Sequence, residues 1–124
     1  MSARRNRPAA LPAGLKVKSK VWLELEGSPV FGDGKARMLE RIDEAGSLTS
    51  AAKSLGMSYR GLWGRLREME RRLGVSLLAR KAGGPGGGGT QLTEHGHRLL
   101  RQYRRFRDGI NALVDERFGK AFVR

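Results

Sequence analysis

Cysteine is absent from the 124 residues, which excludes disulfide bridges, thiolate-ligated zinc sites and a cysteine nucleophile. Zinc-finger DNA binding is excluded with them. The two histidines, His95 and His97, are spaced so that their side chains point nearly opposite ways on a helix, which does not suit a shared metal. No serine, aspartate and histidine set stands out. The sequence therefore predicts no metal, no catalytic residue and no cofactor, and the chain is not expected to be an enzyme.

Long apolar runs and acidic residues are also scarce. No segment is apolar over the length of a signal peptide or a membrane span, so a soluble, cytoplasmic protein with no membrane partner is expected. Lysine and arginine number 25 against 12 acidic residues, a net charge of +13. An excess of this size indicates a polyanionic partner, and nucleic acid is the first candidate.

The most specific pattern is a pair of short helices joined by a glycine turn. Ser47 can cap the first helix, Gly56 suits the turn, and the second helix runs from Ser58 to about Leu73. Apolar residues recur at helical spacing across both segments, at Leu48, Ala52, Leu55, Met57, Leu62, Leu66 and Met69. This arrangement predicts a helix-turn-helix whose second helix reads double-stranded DNA.

The segments before this pair are a basic arm, a hairpin and a scaffold helix. Residues 1–14 combine arginine with proline and small residues, and they are expected to be disordered, either inert or touching DNA. Alternation from Leu15 to Leu25 predicts a strand, a turn at residues 27–29 and a short partner strand. Asp33 is expected to cap a helix from about Lys35 to Ala45.

The segments after the pair are a wing and a long helix. Two short strands around the glycine loop of residues 82–89 predict a wing, with Arg80 and Lys81 beside it. From Thr93 to about Phe118 a helix carries an apolar stripe, formed by Leu99, Tyr103, Phe106, Ile110, Leu113 and Val114. A stripe this long favours homodimerisation, and the alternative is a helix that folds back on its own domain.

The predicted fold class is mainly α with small β elements. We expect a winged helix-turn-helix with an N-terminal β-hairpin, a glycine-rich wing and a long C-terminal dimerisation helix. The expected boundaries are a disordered basic arm at 1–14, a DNA-binding domain at 15–92 and the dimerisation helix at 93–124.

Two motifs together resemble a known family. A Ser-Tyr-basic-x-x-Trp segment begins at Ser58, and a Gly-Gly-x-Gly-Gly-Gly-Gly loop begins at Gly83. Their combination resembles the DNA-binding domain of the ModE family of molybdate-responsive regulators, and residues 51–56 and 73–80 are similar to LysR-type winged helices. The resemblance implies a dimeric transcription regulator. Full-length members add a C-terminal molybdate-binding module, whereas the sequence ends at Arg124, so a separate oxyanion-binding protein is an expected partner.

The candidate DNA-binding residues come from the second helix, its partner and the wing. They are Ser47, Thr49, Ser58, Tyr59, Arg60, Trp63, Arg65, Arg67, Arg80, Lys81, Gly86 and Gly87. Arg60 could bind guanine in bidentate fashion or hold a phosphate. Ser58 is expected to cap its helix. Trp63 lies at the border of the core face, where burial is favoured over projection towards DNA.

Two other functions fit parts of the pattern. A P-loop is excluded because Thr90 stands where that motif requires lysine. A sequence-nonspecific architectural DNA-binding or protein-interaction module fits the charge. A shaped helix with a wing disfavours it, and equal binding to all duplexes would support it.

Overall fold

The computed structural model describes residues 11–81 and 89–122, and these form four helices and two small antiparallel sheets. The elements in chain order are β1 (Trp22–Leu25), β2 (Ser28–Gly32), α1 (Asp33–Ala45), α2 (Leu48–Leu55), α3 (Tyr59–Leu73), β3 (Leu78–Arg80), β4 (Thr90–Leu92) and α4 (Glu94–Phe122). The strands β1 and β2 form the N-terminal hairpin, and β3 and β4 form the wing. The predicted fold class is confirmed. Most of the predicted basic arm lies outside the described residues.

The helix-turn-helix has the predicted capping groups. The Ser47 hydroxyl accepts a hydrogen bond from the backbone N–H of Ser50 at 3.1 Å, and the Ser58 hydroxyl accepts one from Gly61 at 3.0 Å. These bonds satisfy N–H groups of the first helical turns, which have no partner within the helix. Gly56 ends α2 in the left-handed region, at φ 67°. The boundaries of α2 and α3 therefore follow from local chemistry.

The core is built from one face of each helix together with the hairpin. Leu39 and Ile42 of α1 are fully buried, as are Leu62 and Leu66 of α3. Of the seven predicted inward positions, four are buried, and the other three, Leu48, Leu55 and Met57, pack against the core while partly exposed. The helical spacing of apolar residues thus identified the core face correctly.

The hairpin turn lies one residue earlier than predicted. Glu26 and Gly27 both have positive φ, 54° and 80°, and they form the two-residue turn between β1 and β2. Two-residue turns with positive φ match the right-handed twist of paired strands, and glycine is common in them because it adopts positive φ readily. Pro29 pairs with β1 at a register irregularity instead of turning the chain. The strand predicted from Leu15 is regular only from Trp22.

A polar junction anchors α4 to the start of α1. The Tyr103 side chain is 4% exposed, and its ring meets Phe31 edge to face at 5.0 Å. Its hydroxyl donates to the Asp33 carboxylate at 2.5 Å, and Arg107 donates to the same group at 3.0 Å. The prediction that Asp33 caps α1 is wrong: the capping position is Gly32, without a side-chain bond. Tyr103 also does not lie on an exposed stripe, because it belongs to the core of its own chain.

The ionisation of this junction follows from its contacts. The hydrogen bond from Arg107 holds the pKa of Asp33 below its usual range, because it favours the carboxylate. Burial, aided by the bond to Asp33, raises the pKa of Tyr103 to about 12. The phenol therefore remains a donor, and the carboxylate an acceptor, throughout the neutral range.

The 29 residues of α4 extend about 43 Å, well past the domain. Its first half docks through Leu100 and Tyr103, and Leu99 packs beside them. Its second half exposes Phe106, Leu113 and, at the end, Phe122, which are 44%, 53% and 56% exposed. Within the described part of the chain, no helix combines the length and apolar character needed to cross a bilayer.

Candidate nucleic-acid interface

A cleft of about 590 Å³ opens between the wing, α3 and the start of α2. We call it the wing-side cleft. Seven of the candidate residues line it: Ser47, Thr49, Tyr59, Trp63, Arg67, Arg80 and Lys81. Three of these are cationic, and three more carry hydroxyl groups. The cleft therefore offers charge and hydrogen-bond donors to an anion from three separate elements.

Trp63 is exposed, so the prediction that favours its burial is wrong. The residue is 46% exposed, and the guanidinium carbon of Arg67 lies 5.4 Å from its ring centroid. The buried stripe of α3 is narrow, and Trp63 falls just outside Leu62 and Leu66. Tyr59, one helical turn earlier, is 50% exposed on the same flank. Two aromatic rings thus face the wing-side cleft.

The outermost surface of α3 lies opposite its buried stripe and carries Arg60 and Gly64. Arg60 is exposed, in the first turn of the helix. A Cβ atom built on Gly64 would meet no atom within 4 Å. Further along the helix, the Nε of Arg71 donates a hydrogen bond to the Glu68 carboxylate at 3.1 Å. The helix thus presents a guanidinium outward and, at Gly64, backbone without a side chain.

Arg65 lies on the other flank of α3, away from Tyr59. It lines a second cleft of about 580 Å³ between α3, the N-terminal hairpin and the start of α1. We call this the hairpin-side cleft. Lys20 and Lys35 also line it. The sequence grouped Arg65 with Tyr59 and Arg60, whereas the structure distributes them over two flanks and the outer face.

Glu70 braces the wing against α3, a role that the sequence did not suggest. Its carboxylate is 11% exposed and accepts bonds from the backbone N–H groups of Leu77 at 2.8 Å and Leu78 at 3.1 Å. It also accepts from Arg67 at 3.3 Å. One carboxylate therefore joins the start of β3 to a cationic side chain of the wing-side cleft.

Arg72 holds the N-terminal hairpin, a second role that the sequence did not suggest. Its guanidinium donates to the backbone carbonyls of Leu25 at 3.0 Å and Ser28 at 3.1 Å, and also to that of Pro29. These carbonyls surround the turn of the hairpin, so the guanidinium fixes the hairpin on α3. Only the folded chain, which brings residues more than 40 positions apart together, reveals this contact.

The base of the wing is docked on the turn between α1 and α2. The backbone N–H of Thr90 donates to the carbonyl of Gly46 at 2.9 Å. A Cβ atom on Gly89 would lie 2.1 Å from that same oxygen, so only glycine permits this approach. The candidate residues Gly86 and Gly87 lie outside the described residues.

A family model and several known proteins match this chain. Residues 35–97, about half of the sequence, match the model for the bacterial regulatory helix-turn-helix protein, lysR family. The matched region runs from α1 to the first turn of α4. It therefore includes the helix-turn-helix, the wing and the wing-side cleft.

Two curated relatives are similar over most of the chain. The molybdenum transport protein ModE of Azotobacter vinelandii is 36% identical over 86 residues, covering 69% of this chain and 32% of the relative. The transcriptional regulator ModE of Haemophilus influenzae is 41% identical over 81 residues, covering 65% of this chain and 32% of the relative. The chain thus spans about a third of the length of these relatives.

A solved structure has the same architecture. The complex of the CbnR DNA-binding domain with DNA superposes with a TM-score of 0.56 at 28% identity. The superposition covers 71% of this chain and 95% of that domain.

Proposed function

We propose that this chain, which belongs to the lysR family of bacterial regulatory helix-turn-helix proteins, is a sequence-specific, DNA-binding transcription regulator. The observation that carries the proposal is the convergence of seven candidate residues on the wing-side cleft, beside the exposed outer face of α3. The similarity to transcriptional regulators of the ModE type supports it. Because the partner is duplex DNA, the protein would act in the bacterial cytoplasm.

In this proposal α3 enters the major groove and its outer face reads bases. A helix with its side chains is about 10–12 Å wide, and the major groove is about 12 Å wide. Arg60 is exposed in the first turn of α3, the part that a recognition helix inserts most deeply. A bidentate bond from a guanidinium to guanine is worth about 1–3 kcal/mol of discrimination. Tyr59 and Trp63 would contact the sugar or a thymine methyl on the groove wall.

The wing-side cleft would hold the phosphates of one strand. Arg80, Lys81 and Arg67 supply positive charge, and the hydroxyls of Ser47 and Thr49 supply hydrogen bonds. The candidate loop residues Gly86 and Gly87 would add backbone N–H groups near the same strand, an expectation from the sequence. Such contacts position α3 on the duplex and make binding strongly dependent on salt.

The distal half of α4 would join two copies of the chain. Phe106, Ile110, Leu113 and Val114 recur at helical spacing, and two of them are about half exposed. Pairing the stripe with its own copy about a two-fold axis covers both surfaces at once. Leu99 and Tyr103, predicted as part of this stripe, contribute to the chain's own core instead.

Selection from random duplex DNA, combined with a measurement of molar mass by light scattering, tests the proposal. A symmetric regulator should select an inverted repeat, with half-sites about one helical turn apart, and should have the mass of two chains. Uniform, salt-sensitive binding to every duplex would contradict sequence specificity. It would indicate an architectural role instead.

The role of Arg60 is tested by replacing it with alanine. Arg60→Ala should weaken binding to the selected duplex about 5- to 150-fold, while binding to a scrambled duplex changes much less. Fluorescence anisotropy on both duplexes measures the difference. Equal losses on the two duplexes would assign Arg60 to a phosphate.

A link to molybdate is a further part of the proposal, supported by the names of the similar relatives. We expect a separate oxyanion-binding protein to carry the response. DNA affinity should then change with molybdate only when that partner is present. Unchanged affinity in all four combinations of molybdate and partner would contradict this link.

A further inference from the structure

We propose that the hairpin-side cleft is a second DNA-backbone site, which binds phosphates of the strand opposite to the one held by the wing-side cleft. Three cations from three different segments converge there: Lys20 before β1, Lys35 in the first turn of α1, and Arg65 on α3. The inference rests on the proposed DNA-binding function and adds a surface that lies partly outside the residues matched by the family model.

The charge of the cleft favours an anion. Within the described residues, none of these three cations is within 4.0 Å of a carboxylate oxygen in an ion pair. Asp33 also lines the cleft, but Arg107 binds its two oxygens at 3.0 and 3.1 Å and offsets its charge. The cleft therefore presents an excess of positive charge to solvent.

The position of the cleft favours a DNA phosphate over a free anion. The two clefts, each near 600 Å³, lie on opposite flanks of α3. A helix seated in the major groove has one sugar-phosphate backbone on each side, because the groove is scarcely wider than the helix. If one backbone enters the wing-side cleft, the other passes the cleft that contains Arg65. The hairpin, held on α3 by Arg72, thereby becomes part of the DNA-binding surface.

A salt titration on duplex DNA of mixed sequence tests the inference, with matched controls. The double variant Lys20→Ala/Lys35→Ala is compared with Lys18→Ala/Arg37→Ala, which removes the same charge from the same two segments outside the cleft. A plot of log affinity against log salt has a negative slope, and each lost phosphate contact should make that slope less steep by about 0.9. The slope for the test variant should thus be less steep by about 1.8, which corresponds to a loss of about 30-fold in affinity at 0.15 M salt relative to 1 M, and the control should change much less.

An interference experiment on ethylated phosphates then identifies the strand. With the selected duplex, Arg65→Gln should abolish interference on the strand opposite to the one affected by Arg80→Ala. Equal slopes for the test and control double variants would overturn the inference. Loss of interference on the same strand for Arg65→Gln and Arg80→Ala would overturn it as well. Failure of the unaltered chain to bind any duplex would instead refute the proposed function. Thermal melting of each variant verifies that it is folded.

Discussion

Replacing Gly64 by alanine should strengthen the fold and weaken DNA binding. Gly64 lies within α3, opposite the buried stripe, and beyond its chain neighbours and the backbone of its own helix an added Cβ would meet no atom within 4 Å. Glycine inside a helix costs about 0.5–1 kcal/mol relative to alanine, because the unfolded chain loses more freedom. Gly64→Ala should therefore raise the free energy of unfolding by about that amount and the melting temperature by about 2–4 °C.

The effect on DNA should have the opposite sign. In the proposed complex, the bare backbone at Gly64 faces the bases, and an added methyl group would press against them. Overpacking of a close contact costs about 1–3 kcal/mol, which corresponds to a loss of about 5- to 150-fold in affinity. The space that the complex requires would thus explain why α3 contains Gly64, although a glycine there makes the free chain less stable.

Circular dichroism melts and anisotropy titrations measure the two effects. Gly109→Ala in α4 is the matched control, because a Cβ there also meets no atom of another element within 4 Å and the position is outside both clefts. Gly109 lies in the half of α4 that would join two copies, so light scattering verifies that the control variant keeps the mass of the unaltered protein. The control should gain similar stability and bind the selected duplex normally. Unchanged DNA affinity for Gly64→Ala would refute the close approach of α3, and a lower melting temperature would refute the stability argument.

Three further substitutions test the supports of the interface. Gly89→Ala should displace the wing from Gly46 and lower both stability and DNA affinity, as measured by melting and anisotropy, whereas an unchanged melt would refute the contact. Glu70→Gln should cost about 1–3 kcal/mol in urea unfolding, because the bonds to two backbone N–H groups lose a charged acceptor. Asp33→Asn should destabilise the chain at pH 7. Because Arg107 lowers the pKa of Asp33, the difference in free energy of unfolding between the unaltered chain and Asp33→Asn should shrink progressively as the pH falls from about 4. Urea unfolding at pH 7 and pH 3 measures this difference, and an equal difference at both pH values would contradict the assignment.

Local chemistry made much of the helix-turn-helix predictable. Ser47 and Ser58 cap helices through N–H groups three residues away, and Gly56 ends α2, so neighbouring residues decide these boundaries. The wing and the long α4 were predicted from glycine content and apolar spacing for the same reason. The prediction for the Asp33 cap failed because that carboxylate is bound by Tyr103 and Arg107, about 70 positions along the chain.

The candidate interface was predicted less completely than the fold. Spacing alone could not decide the exposure of Trp63, which lies at the edge of the buried stripe, because the width of that stripe depends on what packs against α3. Glu70 and Arg72 gave no signal among the many charged residues of their helix. Their roles depend on where the wing and the hairpin pack, which only long-range contacts determine.

The junction of Tyr103, Asp33 and Arg107 acts mechanically as the fulcrum of a lever. Beyond Arg107, α4 continues to Phe122, an arm of about 22 Å. A tilt of about 5° at the fulcrum moves the tip by about 2 Å, and in the proposed dimer both arms meet at the distal end. The tolerance of the dimer for altered half-site spacing would therefore depend on the rigidity of this junction, far from any base.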